Sequence, residues 1–409
     1  MSRATPIPKL RFGEFVVLMA LMTSLVALSI DAMLPALPQI GADLGVQRSN
    51  DNQLVVSLLF LGLGVGQLIY GPLSDSTGRK PAIYGGFGLF MVGCLLALFA
   101  SNFPMMLAGR VLQGVGVAGP RIVGIALVRD QYGGRAMAQV MSFVMSVFIL
   151  VPVVAPALGQ AILVVAHWRA IFGLFLALAA ITLTWFALRQ PETLAPERRI
   201  PYSLRRIGRA IREVCLNRIA FGYTLAAGLI SGAFVGYLNS AQQIFEGQYG
   251  LGRQFPLFFG ILALAIGSAS FLNARLVMRH GMRTLAGRAA FTISGLAVLF
   301  WGIAYPLAGH PPLWGLMGYL LGTFFCVGIL FGNLNAMAME PLGHIAGVGA
   351  AVVGALSTLL SMTLGTIVGQ SYDGTILPLV GGFGLLGAAA IIVMRWAEAK
   401  KPVAQPSRR

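Results

Sequence analysis

Twelve apolar runs, each about as long as a bilayer is thick and most of them separated by a few polar residues, restrict this chain to a bundle of membrane helices. A hydrocarbon core of about 30 Å takes roughly 20 apolar residues in helical form. The runs fall near residues 14–40, 51–73, 82–101, 104–127, 136–163, 168–189, 219–246, 255–278, 284–307, 312–338, 346–371 and 376–397. With 57% hydrophobic and only 10% charged residues, the chain has too little polar surface to coat a soluble globule of its length. A net charge of +16 in a soluble protein would point to nucleic acid. Here the basic residues sit at the ends of apolar runs, where they set topology, so a lipid bilayer is the expected partner and nucleic acid is not. Cys94, Cys215 and Cys326 lie far apart and show no metal or disulfide spacing.

Orientation follows from the lysines and arginines. With a cytoplasmic N-terminus, 24 of them fall in inner segments and three in outer loops, while Arg110 and Arg121 lie inside the fourth run. That asymmetry places both termini in the cytoplasm. Arg3, Lys9 and Arg11 before an apolar stretch imitate a signal peptide, but the length of the run, the embedded Asp31 and the lack of a small-residue cleavage site argue against removal.

The longest polar stretch, Gln190 to Arg218, divides the runs six and six. The expected organisation is an N-terminal half over 1–189, a basic cytoplasmic linker over 190–218, a C-terminal half over 219–398 and a cytoplasmic tail over 399–409. Tyr202 to Val214 reads either as a basic amphipathic helix on the membrane surface or as a solvated linker. A weak repeat relates the halves: Ala274, Met278, Gly281 and Arg283 follow the eighth run much as Gly71, Asp75, Gly78 and Lys80 follow the second, with Met278 in the aspartate position. Duplicated halves put a binding site between them near the midplane.

Between the second and third runs the chain reads Gly71-Pro72-Leu73-Ser74-Asp75-Ser76-Thr77-Gly78-Arg79-Lys80. The order Gly-x-Leu-x-Asp-x-x-Gly-Arg-Lys resembles the signature loop of the major facilitator superfamily of secondary transporters. Arg110-Val111-Leu112-Gln113-Gly114-Val115-Gly116 is similar to the Arg-x-x-Gln-Gly-x-Gly pattern of that superfamily's fourth helix, and Val128-Arg129-Asp130 to the acidic end of the same helix. The resemblance implies an all-α fold of twelve transmembrane helices in two pseudo-symmetric halves. It also implies that Arg79 pairs with Asp130 and that Asp75 lies against the N-terminal end of the eleventh helix, where free N–H groups stabilise a carboxylate. Gly71, Asp75, Gly78, Arg79 and Asp130 thereby become candidate switch residues.

Pro152 and Pro156 stand four residues apart in the fifth run, removing successive hydrogen bonds from one face and giving a pliable kink. The segment Val151 to Gln160 resembles the Gly-Pro-x-x-Gly-Gly motif of drug:proton antiporters, with Ala155 and Gln160 replacing two glycines. Together with Asp31 to Pro38 and His167-Trp168-Arg169-Ala170-Ile171-Phe172, the pattern is most similar to the Bcr/CflA branch of the twelve-helix drug:proton antiporters. In the second half the most family-like segment is Glu340 to Gly347.

An ionisable side chain inside lipid costs at least ~2.5–3.5 kcal/mol and so demands an explanation. Asp31, Arg110 and Arg121 are three such groups. At ~1.5 Å per residue, Asp31 lies about 25 Å from Glu14 and Arg110 about 9 Å from Pro104, so both fall in the outer half and can share a cavity. Asp31 is the one acidic residue expected deep in a helix, which makes it the proton-coupling candidate with Arg110 as its electrostatic partner; the alternative is a purely structural ion pair. Further candidates for substrate contact are Gln113, Tyr237, Asn239, Gln242, Phe324 and Asn333, each of which also has a plainer reading as a packing or interhelical group. No Walker pattern, intramembrane His–acid cluster or nucleotide loop is present, so no catalytic residue, metal or cofactor is expected. The expectation is an inner-membrane, monomeric, proton-gradient-driven exporter of small organic molecules such as drugs, with a facilitator or importer on the same fold as the alternative.

Overall fold

The computed structural model describes residues 10–399. The N-terminal stretch with Arg3 and Lys9, and the tail beyond Ala399, lie outside the described residues. The described residues form twelve long helices: α1 Phe12–Asp31, α2 Leu54–Thr77, α3 Arg79–Leu98, α4 Phe103–Gln131, α5 Gly134–Val165, α6 Arg169–Arg189, α7 Arg218–Gln242, α8 Phe255–His280, α9 Met282–Ala304, α10 Leu313–Met339, α11 Ala346–Gln370 and α12 Leu377–Glu398. All are long and apolar enough to cross a membrane, with α10 and α11 running together through the 3-10 turn Glu340–Ile345.

Small residues set the packing. In α2 and α4, Gly62 and Gly114 face each other so closely that a Cβ on Gly62 would lie 2.1 Å from the Val111 carbonyl, and one on Gly114 2.1 Å from that of Leu59. Gly116 meets the backbone of Phe90 and Gly93 that of Gln113, so α3 is drawn equally close to α4. Between helices that share one apolar solvent, such close approach is the main source of attraction.

Two departures from the expected helices matter for the site. The first run is not one helix over 14–40: α1 stops at Asp31, a 3-10 turn covers Leu34–Ala36, and a short helix follows at Leu37–Asp43. Pro35 and Pro38 have no N–H to donate to the carbonyls of Asp31 and Leu34, so the α-helix ends where the carboxylate sits. The seventh run is also interrupted, with α7 passing into a π-helical turn at Gln243–Gln248.

The two sets of six helices meet through α2 with α11, α5 with α8, and α7 with the turn after Asp31. The connecting segment carries a helix at Leu204–Leu216, capped by Ser203 and packed through Ile207, Ala210 and Val214 onto the ends of α11 and α7. Arg205, Arg209 and Arg212 on its other side are exposed. The helix is amphipathic, but its apolar face is covered by protein and not laid on the membrane surface.

Candidate functional site

The loop between α2 and α3 is built around one buried arginine. Gly78 adopts φ 109°, a conformation open to glycine, and turns the chain sharply into α3. Arg79 is thereby brought under α4, with Nε donating to Asp130 Oδ2 at 2.9 Å and Nη1 to Asp75 Oδ1 at 2.6 Å and Ser74 Oγ at 2.9 Å. Glu192, from the connecting segment, accepts the backbone N–H groups of Arg79 and Lys80, each at 3.0 Å, and so caps α3. Nothing in the sequence marks Glu192 for this role. Asp75 departs from expectation: its carboxylate is committed to Arg79 and bonds no amide of α11 among the described residues. Gly71, one turn earlier, makes the contact, with its Cβ direction 3.5 Å from Ala351. The second half repeats the turn in exposed form, where Gly281 has φ 78° and Arg283 bonds Glu340 and Glu398, each at 2.8 Å. Met278, in the aspartate position, is 86% exposed.

Asp31 is only 5% exposed, and among the described residues its carboxylate makes no ion pair or hydrogen bond. The expected pairing with Arg110 is not formed. Arg110, fully buried, donates instead through Nη2 to Ser29 O at 2.8 Å, through Nε to Val55 O at 2.8 Å and through Nη1 to Gln113 Oε1 at 2.7 Å. Ser29 O belongs to the last turn of α1, where carbonyls lack helical partners and a cation is favoured. Arg110 thus caps the helix that ends in Asp31 and ties it to α2. Gln113 passes the tie onward to Gly93 O at 3.0 Å, which removes it from the candidate substrate contacts.

The proline-bearing helix α5 supports the same point. Gly159, one turn after Pro156, lies against the break in the first run so tightly that a Cβ there would sit 2.0 Å from Ala32 O. Pro152 and Pro156 lie within the unbroken span of α5, and Val153 between them packs on Gly260 of α8.

Across the interface from the turn that follows Asp31, Tyr237 of α7 is fully buried with its hydroxyl unpartnered among the described residues. Its ring is packed by Phe324 at 4.7 Å, Phe259 at 5.8 Å and Phe234 at 6.1 Å. Asp31, Tyr237 and Phe324 are therefore the expected residues that gather at one place. Gln242 bonds Glu246 at 2.9 Å, and Asn333 exchanges hydrogen bonds with Asn273 at 2.9 and 3.3 Å, so both are spent on local ties.

Asn239 does something else. Its amide donates to Ser57 Oγ at 3.0 Å, and Ser57 is also bonded by Thr366 at 2.9 Å. This is one rung of a polar ladder joining α2 to α7 and α11. Gln67 bonds Thr358 at 3.1 Å, Gln53 bonds Gly369 O at 3.0 Å, and Asn50 bonds Gln370 O and Tyr372 O at 3.1 and 2.8 Å. The ladder climbs from mid-helix to one face of the bundle and shuts it. On the opposite face, which carries the connecting segment and the basic loops, no hydrogen bond joins α4 to α10 among the described residues, and Ile125, Arg129, Asn335 and Ala336 are exposed. His167 and Trp168 lie on the shut face, both reaching Asp43, at 2.6 and 2.8 Å.

Two six-helix sets closed by a polar ladder at one face and parted at the other, with a lone carboxyl group between them, define a membrane carrier of the alternating-access class. Residues 19–366 match the Major Facilitator Superfamily, and the chain belongs to that family. It is 30% identical to the bicyclomycin resistance protein homolog of Haemophilus influenzae over 90% of this chain and 92% of that one. It is 27% identical to multidrug resistance protein D of Escherichia coli over 85% and 88% of the two chains. Both agree with the drug:proton antiporter branch. Among solved structures, the xylose transporter XylE of E. coli, in a partially occluded inward-open conformation, superposes with a TM-score of 0.71 at 15% identity, covering 94% of this chain and 97% of that one.

Proposed function

We propose that this protein exports small organic molecules, drugs and antibiotics among them, in exchange for protons, from a cleft that opens alternately to the two sides of the inner membrane. The observation that carries the reading is Asp31: a buried carboxyl group with no ion pair among the described residues, at the broken end of α1 and facing the Tyr237 cluster. Leaving an uncompensated charge in such a place is costly, so the group exchanges protons as the cleft opens to each side. A substrate that binds against Asp31 and Tyr237 competes with that proton, and competition at one site gives exchange without any bound cofactor. The names of the two relatives fit this reading. The basic face is then cytoplasmic with both termini, and the cleft is open to the cytoplasm. A single chain contains both halves of the site and works as a monomer.

Energised everted membrane vesicles test the proposal. Adding bicyclomycin or chloramphenicol is expected to release protons from the vesicle lumen in proportion to the amount of this protein. Substrate movement with no proton release would instead support an uncoupled facilitator. In the same assay the Asp75→Asn variant is expected to turn over several-fold more slowly with substrate affinity within a factor of about two, since Arg79 loses one anchor of the switch while the cleft is untouched. Equal loss of affinity and turnover would remove Asp75 from the switch.

A further inference from the structure

Arg121 has no place in the coupling chemistry or in the polar ladder, yet it sits within α4, ten residues from the cytoplasmic end Gln131. Arg110 reaches both Ser29 of α1 and Val55 of α2, so its side of α4 looks out between those two helices. Eleven residues later, about three turns at 3.6 residues per turn, Arg121 returns to the same side. Gly119, on the far side, faces Tyr70 and Gly86, while Gly124 faces Met19 and Met22. Because α2 and the turn that ends α1 are where this half meets the other, the stripe of Arg121, Ile125 and Arg129 opens into the cleft.

Among the described residues Arg121 makes no ion pair and no hydrogen bond, although it is largely shielded from solvent. A guanidinium in that setting normally finds a carboxylate or a carbonyl, as Arg79 and Arg110 both do. At a similar depth on α1, the buried Ser24 hydroxyl is likewise unpartnered. Five donors in a planar fork match a carboxylate, sulfonate or phosphate better than any other small group. Eleven residues of α4 separate Arg121 from Arg110, about 16 Å along the helix toward the cytoplasm.

We infer that Arg121 is an anion-recognising subsite and that preferred substrates carry a negatively charged group which it binds on the cytoplasmic side of the cleft. The inference rests on the export reading but concerns binding alone. Three probes of one shape separate the charges: 1-naphthoate, neutral 1-naphthamide and cationic 1-naphthylmethylamine, titrated into the full chain in nanodiscs at neutral pH. Naphthoate is expected to bind tightest. Arg121→Gln is expected to weaken naphthoate about tenfold, the loss of one charge-assisted contact, and to leave naphthamide within a factor of about two. Arg121→Lys keeps the charge and is expected to fall between, so it replaces the glutamine variant if that one does not fold. Naphthoate binding no tighter than naphthamide, no measurable naphthoate binding, or unchanged naphthoate affinity in the variants would overturn the subsite. Proton release in the vesicle assay is independent of these outcomes, so the failure of either idea is distinguishable from that of the other.

Discussion

Asp31→Asn is expected to reduce uphill export to simple equilibration. With one proton exchanged per substrate, a gradient of two pH units stores about 2.7 kcal/mol and sustains at most roughly hundredfold accumulation. Asparagine keeps the size and polarity of the side chain but cannot carry a proton between the two sides. The accumulation ratio in everted vesicles should therefore fall to about one, and substrate affinity should lose its dependence on pH. Exchange of labelled for unlabelled substrate, which needs no net proton movement, should persist. The variant should fold about as stably as the parent, because it exchanges one buried polar group without a hydrogen-bond partner among the described residues for another of the same size. Full accumulation against a gradient in Asp31→Asn would place the coupling group elsewhere and favour the facilitator reading.

That expectation was readable in the sequence because a charge inside an apolar run needs a reason whatever its neighbours are. The same logic found Arg110 and Arg121, and apolar run length found all twelve helices. Partners were harder to read. Arg79 meets Asp130 because a motif places them, whereas Glu192 lies 113 positions from the backbone amide it caps and has no local signal. Gln113, Gln242 and Asn333 look in sequence like cavity residues, but a polar side chain in lipid takes the first partner within reach, and each has one on its own half. The polar ladder was only partly legible. Asn239 stood out as a polar group in an apolar run; Asn50, Gln53 and Gln370 lie near helix ends, where polar residues are ordinary. Only the pairing of the two halves shows that they close one face.

The broken first helix joins these points to the second large effect. Pro35 withholds an N–H from the Asp31 carbonyl and ends α1 there, the carbonyl of Ser29 is left without a backbone donor among the described residues, and Arg110 supplies a guanidinium to it. Arg110 is therefore a positioning residue, acting on Asp31 through Ser29 O. Arg110→Ala leaves the buried carbonyl oxygens of Ser29 and Val55 and the side chain of Gln113 without its donors. Hydrogen bonds from charged donors contribute about 1.5–3 kcal/mol each, so the loss should reach several kcal/mol. The expected results are a large drop in the melting temperature of the purified protein and loss of transport in the fraction that folds. Arg110→Lys retains the cation but reaches fewer of the three acceptors, and should recover part of the stability with a shifted pH profile for export, since the end of α1 is held less firmly around Asp31. An Arg110→Ala protein that melts with the parent yet fails to couple would reverse the assignment. Arg110 would then act on the proton itself, and the cap at Ser29 would be incidental.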